Sequence, residues 1–207
     1  MPKISLEAVD ARRDEIIAAC ETLYQTMGFR DVTIKEIAQY TSLSRPSIYN
    51  YFETKEEIFL AILQREYELW IKDIEDLIAG HEELTRDELA HELAASLERR
   101  ELLLKLMSMN HYDMEANSSM ERLTRFKVAY GNSIKAVDRL LQKFCAEFTA
   151  QRREEFLYAF FPFIYGIYPY VVVTEKQRKA MEQANADFVF LSIHEMAYRC
   201  AKKLLDG

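Results

Sequence analysis

Apolar residues recur three and four positions apart along almost the whole chain, and strand-like alternation is scarce. This pattern predicts an all-α protein of about nine helices. The first runs from near Leu6 to Met27, with Gly28 as its C-terminal stop and Phe29 turned back into the core. Ile34, Ile37 and Ala38 form the stripe of a short second helix. Ile48 and Phe52, four apart, face inward from a third. A long fourth helix opens near Thr54, continues to about Ala79 and ends at Gly80. Five Gly and four Pro interrupt 207 residues, and no internal repeat, low-complexity tract or flexible linker is evident.

Start signals sharpen the map. Thr33 and Glu36 have capping-box spacing: the Thr33 hydroxyl can accept from the Glu36 amide while the Glu36 carboxylate reaches back to the Thr33 amide. Thr54/Glu57 repeats the spacing, and Thr85/Glu88, Ser118/Glu121 and Thr174/Gln177 each precede a helical pattern. Thr22/Gln25 has the same spacing inside a helix, so spacing alone does not decide. Thr41 and Ser42 punctuate the second helix, and Leu43 plugs the turn into the core. Ser44 reads as the N-cap of the third helix, with Pro46 in its first turn, where a missing N–H costs little. Arg45 and Tyr49 lie opposite Ile48 and Phe52, flanked by Ser47 and Asn50. Two short helices joined by a tight turn, the second with a hydrogen-bonding outer side, make a helix-turn-helix that places its second helix in the DNA major groove.

The run from Arg12 to Leu63 resembles the N-terminal domain of the tetracycline-repressor (TetR) family of transcriptional regulators. The matching pieces are Ile16-Ile17-Ala18-Ala19, Gly28-Phe29, Thr33-Ile34-Lys35-Glu36-Ile37-Ala38, Ile48-Tyr49 followed by Phe52, and Lys55-Glu56. The resemblance covers the first third of the chain and implies DNA-backbone contacts from Thr33, Tyr49 and Lys55. Two departures stand out: Pro46 replaces the family's usual small residue, and Tyr51 stands where His is common. The expected DNA contacts are Thr33, Ser44, Arg45, Ser47, Tyr49, Asn50, Tyr51 and Lys55. Arg45 and Asn50 are the base readers, since guanidinium suits guanine and carboxamide suits adenine. Thr33, Ser44, Tyr49, Tyr51 and Lys55 position the backbone.

Charge tempers this picture. Residues 1–65 carry eight Lys or Arg against ten Asp or Glu, and the whole chain has a net charge of −7. The DNA-binding part is not a basic domain by count, so Arg30, Lys35, Arg45 and Lys55 would act by local placement. Weak non-specific binding and a modest salt slope are expected, with helix N-termini supplying part of the phosphate grip.

Residues 156–174 hold no charge and eight Phe or Tyr over 19 residues. Length alone would allow a membrane span. Aromatics spread along the segment, the helix-disturbing Pro162 and Pro169, and flanks without a one-sided positive bias argue against it, so no membrane partner is expected. Helical spacing puts Phe156, Phe160, Phe163 and Ile167 on one face and Tyr158, Phe161, Tyr165, Tyr168 and Val172 on the other. A helix apolar all round must be buried all round, which points to the protein's own core on one side and a second subunit on the other. The family resemblance implies the same, a homodimer built from the last two long helices, here about 153–172 and 188–205. The expected interface residues are Phe161, Tyr168, Val172, Val189, Ile193 and Met196. A homodimer would match a palindromic operator in double-stranded DNA.

The resemblance also implies a small-molecule ligand of unknown identity in the C-terminal domain. Candidate lining residues are Met107, His111, Tyr112, Phe126, Tyr130, Phe160, Phe163 and Tyr165, each of which could equally be packed core. Cys20, Cys145 and Cys200 are far apart, odd in number and set in apolar helical stretches, as small buried residues are. His81, His91, His111 and His194 sit in different segments without metal-ligand spacing. With no HExxH, GxSxG or Gly-rich phosphate loop, no catalytic residue, metal or cofactor is expected and the chain is not read as an enzyme. Met1 to Glu7 lack the apolar run of a signal peptide, which fits a cytoplasmic location.

The expected organisation is a DNA-binding domain over 1–53 and a ligand-binding and dimerisation domain over 54–207. The expected function is a homodimeric repressor released by a small molecule. The alternative is a helical small-molecule- or partner-binding protein without DNA function, which would not need the polar side of residues 44–51.

Overall fold

The computed structural model of the chain describes residues 6–207. The leader reading of the first residues lies outside them. Among the described residues the regular structure is ten α-helices: α1 (Leu6–Tyr24), α2 (Ile34–Gln39), α3 (Arg45–Ile48), α4 (Lys55–Gly80), α5 (Arg86–Glu98), α6 (Glu101–Ala116), α7 (Met120–Phe144), α8 (Ala150–Val171), α9 (Glu175–Gln183) and α10 (Ile193–Asp206). The chain divides into two compact units, one of residues 1–65 and 110–128, the other of 66–109 and 129–207.

The first unit closes around Ile16, Cys20 and Leu23 of α1, Ile37 of α2, Ile48 of α3, and Ile58, Phe59 and Ile62 of α4, all buried. Tyr24 meets Phe59 edge-on at 5.0 Å and Phe29 lies 4.6 Å from the same ring. That cluster draws the chain out of the helix early, so α1 ends at Tyr24, short of Met27. Gly28 does not stop the helix by a left-handed turn, because no glycine has a positive φ among the described residues. Its small size instead admits Asp31, whose Oδ2 lies 2.9 Å from where a Cβ would stand.

The second unit is organised on Trp70, fully buried, whose indole N–H donates to Ser96 Oγ at 3.0 Å. Ile193, Ala197, Ala201 and Leu205 recur every fourth residue along α10 and are buried against α5 and α8. The two alanines let the backbones approach, and the buried stripe of α5 (Leu89, Leu93, Leu97) fills the space. Helix α8 runs unbroken through Pro162 and Pro169. Pro169 has no N–H to offer the Tyr165 carbonyl four residues earlier. The Ser108 hydroxyl donates to that carbonyl at 2.6 Å and supplies the bond that the second proline cannot. Among the described residues no single helix is long and apolar enough to cross a membrane; α8 and α9 reach that only as a pair bent by 82°.

Capping boxes close where the expectation was local. Thr85/Glu88 and Thr174/Gln177 form both bonds, as does Ser192/Glu195 at the start of α10. Thr33 makes only its own half, accepting from the Glu36 amide at 3.4 Å. Thr54 likewise makes its own half, accepting from the Glu57 amide at 3.1 Å while the Glu57 carboxylate is engaged elsewhere, and Ser118/Glu121 does not close. The Ser118 hydroxyl turns to the Met114 carbonyl and Glu121 pairs with Arg125, because the α7 start has a different partner, described below.

Candidate nucleic-acid interface

The segment from Thr33 to Lys55 is a helix, a turn and a short second helix. Ser44 caps α3 by accepting from the Ser47 amide at 3.3 Å, and the two hydroxyls share a hydrogen bond of 2.8 Å. Such a cap is worth about 1 kcal/mol, a large share for a helix of four residues. The coil continues past Ile48: Asn50 donates to the Ser47 carbonyl, and Tyr51 and Phe52 to that of Ile48, at 3.2, 2.9 and 3.1 Å. Ile48 and Phe52 are 0% and 1% exposed and anchor the segment, as their spacing predicted.

The opposite side is open. Ser44, Arg45, Tyr49 and Asn50 are exposed, and Arg45 Nη2 stands 3.5 Å from the Tyr49 hydroxyl. A shallow concavity of about 460 Å³ gathers Thr33, Lys35, Arg45, Tyr49 and Lys55, with the carboxylates of Glu53 and Glu56 also on its wall. Four of the eight expected DNA contacts thus share one surface depression. Asn50 is exposed outside it; Ser47 and Tyr51 are half-buried.

Lys55 is already engaged. Its Nζ donates to the Phe29 carbonyl at 2.6 Å, lies 3.4 Å from that of Arg30, and sits 4.7 Å from the Phe29 ring centroid. The ammonium fastens the α1–α2 loop while keeping its charge at the rim of the concavity.

The turn between α2 and α3 is held from α1. Glu15 accepts from the Ser42 amide at 2.5 Å, and Arg12 donates to the Ser42 hydroxyl at 2.6 Å and to Glu15 at 2.9 Å. The Ser42 amide first, then its hydroxyl and Arg12, hold the Glu15 carboxyl below the usual glutamate range. Sequence inspection missed these residues, since the partners are 27 and 30 positions apart. It also missed Glu57 and Arg122, whose partners are farther still.

The ligand-pocket candidates scatter. Met107, Phe126 and Phe160 are buried core, Phe163 is half-buried, and Tyr112 is 86% exposed. His111, Tyr112 and Phe126 belong to the first unit and the other five to the second. His111 lies 3.2 Å from Glu115; burial lowers its pKa, with Glu115 opposing the shift. Tyr130 and Tyr165 do line a cavity, an open cleft of about 1150 Å³ between α7 and α8. Leu157, Tyr158, Phe161 and Pro162 complete its apolar wall. At one end Arg153 Nε donates to Asp138 at 2.8 Å. Trp70 sits behind, 5.9 Å from the Phe161 ring.

The dimer candidates divide too. Phe161, Tyr168 and Ile193 are 4, 8 and 8% exposed within the single chain, Met196 is half-buried, and Val172 and Val189 are 40 and 73% exposed. Cys20 and Cys145 are buried and Cys200 half-buried; burial pushes the thiol of Cys20 up to about 12 and those of Cys145 and Cys200 up to about 11. Cys145 lies one residue past α7 and not inside it. Among the described residues no group of three His, Cys, Asp or Glu is placed to hold a metal.

Residues 16–62 match the family of bacterial regulatory proteins called tetR, and residues 64–206 match the tetracyclin repressor-like C-terminal domain. The chain is 35% identical over 63 residues to the uncharacterized HTH-type transcriptional regulator YfiR of Bacillus subtilis, covering 30% of this chain and 31% of that one. It is 27% identical over 64 residues to the HTH-type transcriptional regulator RutR of Escherichia coli, covering 31% and 30%. The chain thus spans about a third of the length of the curated relatives it matches. A TetR/AcrR-family regulator from Thermobifida fusca shares the fold at a TM-score of 0.62 and 20% identity, over 95% of this chain and 98% of that one. The Thermus thermophilus repressor FadR, solved with lauroyl-CoA, does so at 0.58 and 19%, over 95% and 94%. With an exposed, capped recognition segment at one end and a family match running through to residue 206, the chain belongs to the tetR family of bacterial regulatory proteins.

Proposed function

We propose that the chain is a homodimeric, sequence-specific DNA-binding regulator, a repressor that leaves a palindromic operator when a small molecule binds. The observation that carries this reading is the division of the recognition segment. Ile48 and Phe52 hold it from below, while Arg45 and Tyr49 face a concavity shared with Thr33 and Lys55 and Asn50 is exposed beside it. A capped helix with a polar outer side is ordinary on a protein surface; what favours DNA is the gathering of Thr33, Lys35, Arg45, Tyr49 and Lys55 in one depression. In this reading Arg45 and Asn50 meet base edges, and Thr33, Ser44, Ser47, Tyr49, Tyr51 and Lys55 grip or order the backbone contacts.

Residues 1–53 form the DNA-binding domain and 54–207 the ligand-binding and dimerisation domain. The ligand occupies the α7–α8 cleft, where aromatic walls and few polar groups suit an apolar molecule. That FadR was solved with lauroyl-CoA supports a ligand role for this domain. The second subunit covers Val172, Val189 and Met196, the expected interface residues not already buried by the chain itself. Ligand acts by favouring a separation of the two recognition segments that no longer matches successive major grooves. A cytoplasmic location goes with this role.

The test is selection from a random duplex library with purified protein at moderate salt. Enrichment of a palindrome supports the reading and supplies the operator. Absence of enrichment by folded, dimeric protein moves the binding-protein alternative ahead.

A further inference from the structure

We propose that Arg122 and Glu57 are positioning residues of the DNA interface, holding the exit of the recognition segment to the turn between α6 and α7. The inference rests on the DNA-binding reading above. All the residues concerned lie in one compact unit.

The recognition segment ends where the chain leaves its coil after Phe52, which strips the Tyr51 carbonyl of a helical donor. Arg122 Nη2 donates to that carbonyl at 2.7 Å, and its guanidinium lies 4.9 Å from the Phe52 ring centroid. Three residues on, the Thr54 hydroxyl donates to the Asn117 carbonyl at 2.9 Å. Glu57 is 2% exposed. Its two oxygens accept from the Glu53 amide at 2.9 Å and the Ser119 amide at 3.0 Å. A buried carboxylate is costly unless hydrogen-bonded, and here it rests at the positive ends of both α4 and α7.

These bonds displace local alternatives. Thr54 and Glu57, and Ser118 and Glu121, each have the spacing for a private capping box; Thr54 accepts from the Glu57 amide at 3.1 Å but the Glu57 carboxylate does not return the bond, and Ser118 and Glu121 turn to other partners. One Glu57 oxygen is spent on Ser119, 62 residues away, and the other on the Glu53 amide. The result is a fixed attitude for residues 44–52. Arg45 lies six residues before Tyr51, roughly 9 Å along a helical axis. A tilt of about 10° at the exit would move it roughly 1.5 Å, several times the tolerance of about 0.5 Å for a preorganised contact.

The experiment compares wild-type protein with Arg122→Ala, Arg122→Met and Arg122→Lys in duplex-library selection, alongside thermal melts and hydrogen exchange of residues 49–52. Arg122→Met keeps the aliphatic packing and carries the test if Arg122→Ala does not fold. The expected result for either is a weakened base preference at the Arg45 position, a broadened choice of half-site spacing, at least tenfold weaker binding to the wild-type operator, and faster exchange at 49–52. Arg122→Lys, which can still donate to the Tyr51 carbonyl, restores most of the affinity and the spacing. Wild-type spacing and affinity in the folded Ala or Met variant would overturn the proposal, as would a loss accounted for by the unfolded fraction alone. If wild-type protein itself enriches no sequence, the DNA-binding reading has failed and this inference falls with it, an outcome distinct from an indifferent Arg122 in a protein that does bind.

Discussion

Replacing Lys55 separates the structural job of its ammonium from the phosphate contact proposed for it. Nζ donates to the Phe29 carbonyl at 2.6 Å and stands at the rim of the concavity that holds Arg45 and Tyr49. If it also neutralises a phosphate, Lys55→Ala removes two such contacts per dimer. At about 0.9 in log–log slope per phosphate, the salt dependence of operator binding should flatten by about 1.8. Over a fourfold rise in salt that is a difference of about tenfold: wild-type affinity falls that much more than the variant's. The structural job has its own signature. A charge-assisted bond at a partly solvated site contributes about 1.5 kcal/mol, and for a chain this long that lowers Tm by roughly 3–6 °C. Lys55→Gln sharpens the separation, because the amide can still donate to Phe29 while the charge is gone; it should flatten the slope with little change in Tm. Fluorescence anisotropy on a labelled operator between 50 and 200 mM salt reads the first quantity, on the order of the range over which counterion release is resolved, and calorimetry reads the second. A wild-type slope together with a lowered Tm in Lys55→Ala would refute the phosphate role and leave Lys55 as a fastener of the α1–α2 loop.

Arg45→Ala should relax sequence preference at one base pair per half-site and weaken binding by about 1–3 kcal/mol; unchanged preference in a library selection removes Arg45 from the base readers. The Glu15 carboxyl, held below its ordinary value by Ser42 and Arg12, contributes stability that is complete above the usual glutamate range and fades as pH falls through its folded value. Glu15→Gln should therefore be less stable than wild type at neutral pH, with the gap narrowing as pH falls below the usual glutamate range when urea midpoints are compared; a constant gap would contradict this. Cys20, with its thiol pushed up to about 12, should resist a disulfide reagent in the folded protein and react only on unfolding; rapid labelling would show that α1 opens. A ligand in the α7–α8 cleft should alter the emission of Trp70, the single tryptophan, through its contact with Phe161. Operator release without any change in emission would place the ligand elsewhere.

Much of the fold was legible because helix formation is local. Apolar spacing and the Thr85 and Thr174 boxes involve residues at most a few positions apart, and they stand where the pattern put them. The adjacency of Arg45 and Tyr49 is legible for the same reason. What spacing cannot show is who covers a face. Tyr158 and Phe161 share the predicted outer face of α8, yet one is 74% and the other 4% exposed. Burial there is decided by neighbours distant in sequence: the Phe161 ring lies 5.9 Å from Trp70 and 6.0 Å from Tyr130, while Tyr158 stays at the mouth of the cleft. Local capping rules failed at Glu57 because its carboxylate accepts from the distant Ser119 amide and from Glu53, and at Ser118 because its hydroxyl donates back to the Met114 carbonyl of the preceding helix. The ties on Lys55, Glu15 and Arg122 span 26, 27 and 71 residues and leave no mark in a local window.

The brevity of α3 bears on how binding preference changes over generations. Two buried side chains, Ile48 and Phe52, keep the segment in place, while Arg45, Tyr49 and Asn50 contribute almost nothing to the interior. Substitutions at exposed positions of that kind usually shift stability by no more than about 0.5 kcal/mol. New combinations at 45, 49 and 50 can therefore be sampled without threatening the folded state. If these positions read DNA as proposed, the stability of the protein sets little limit on drift toward a new operator.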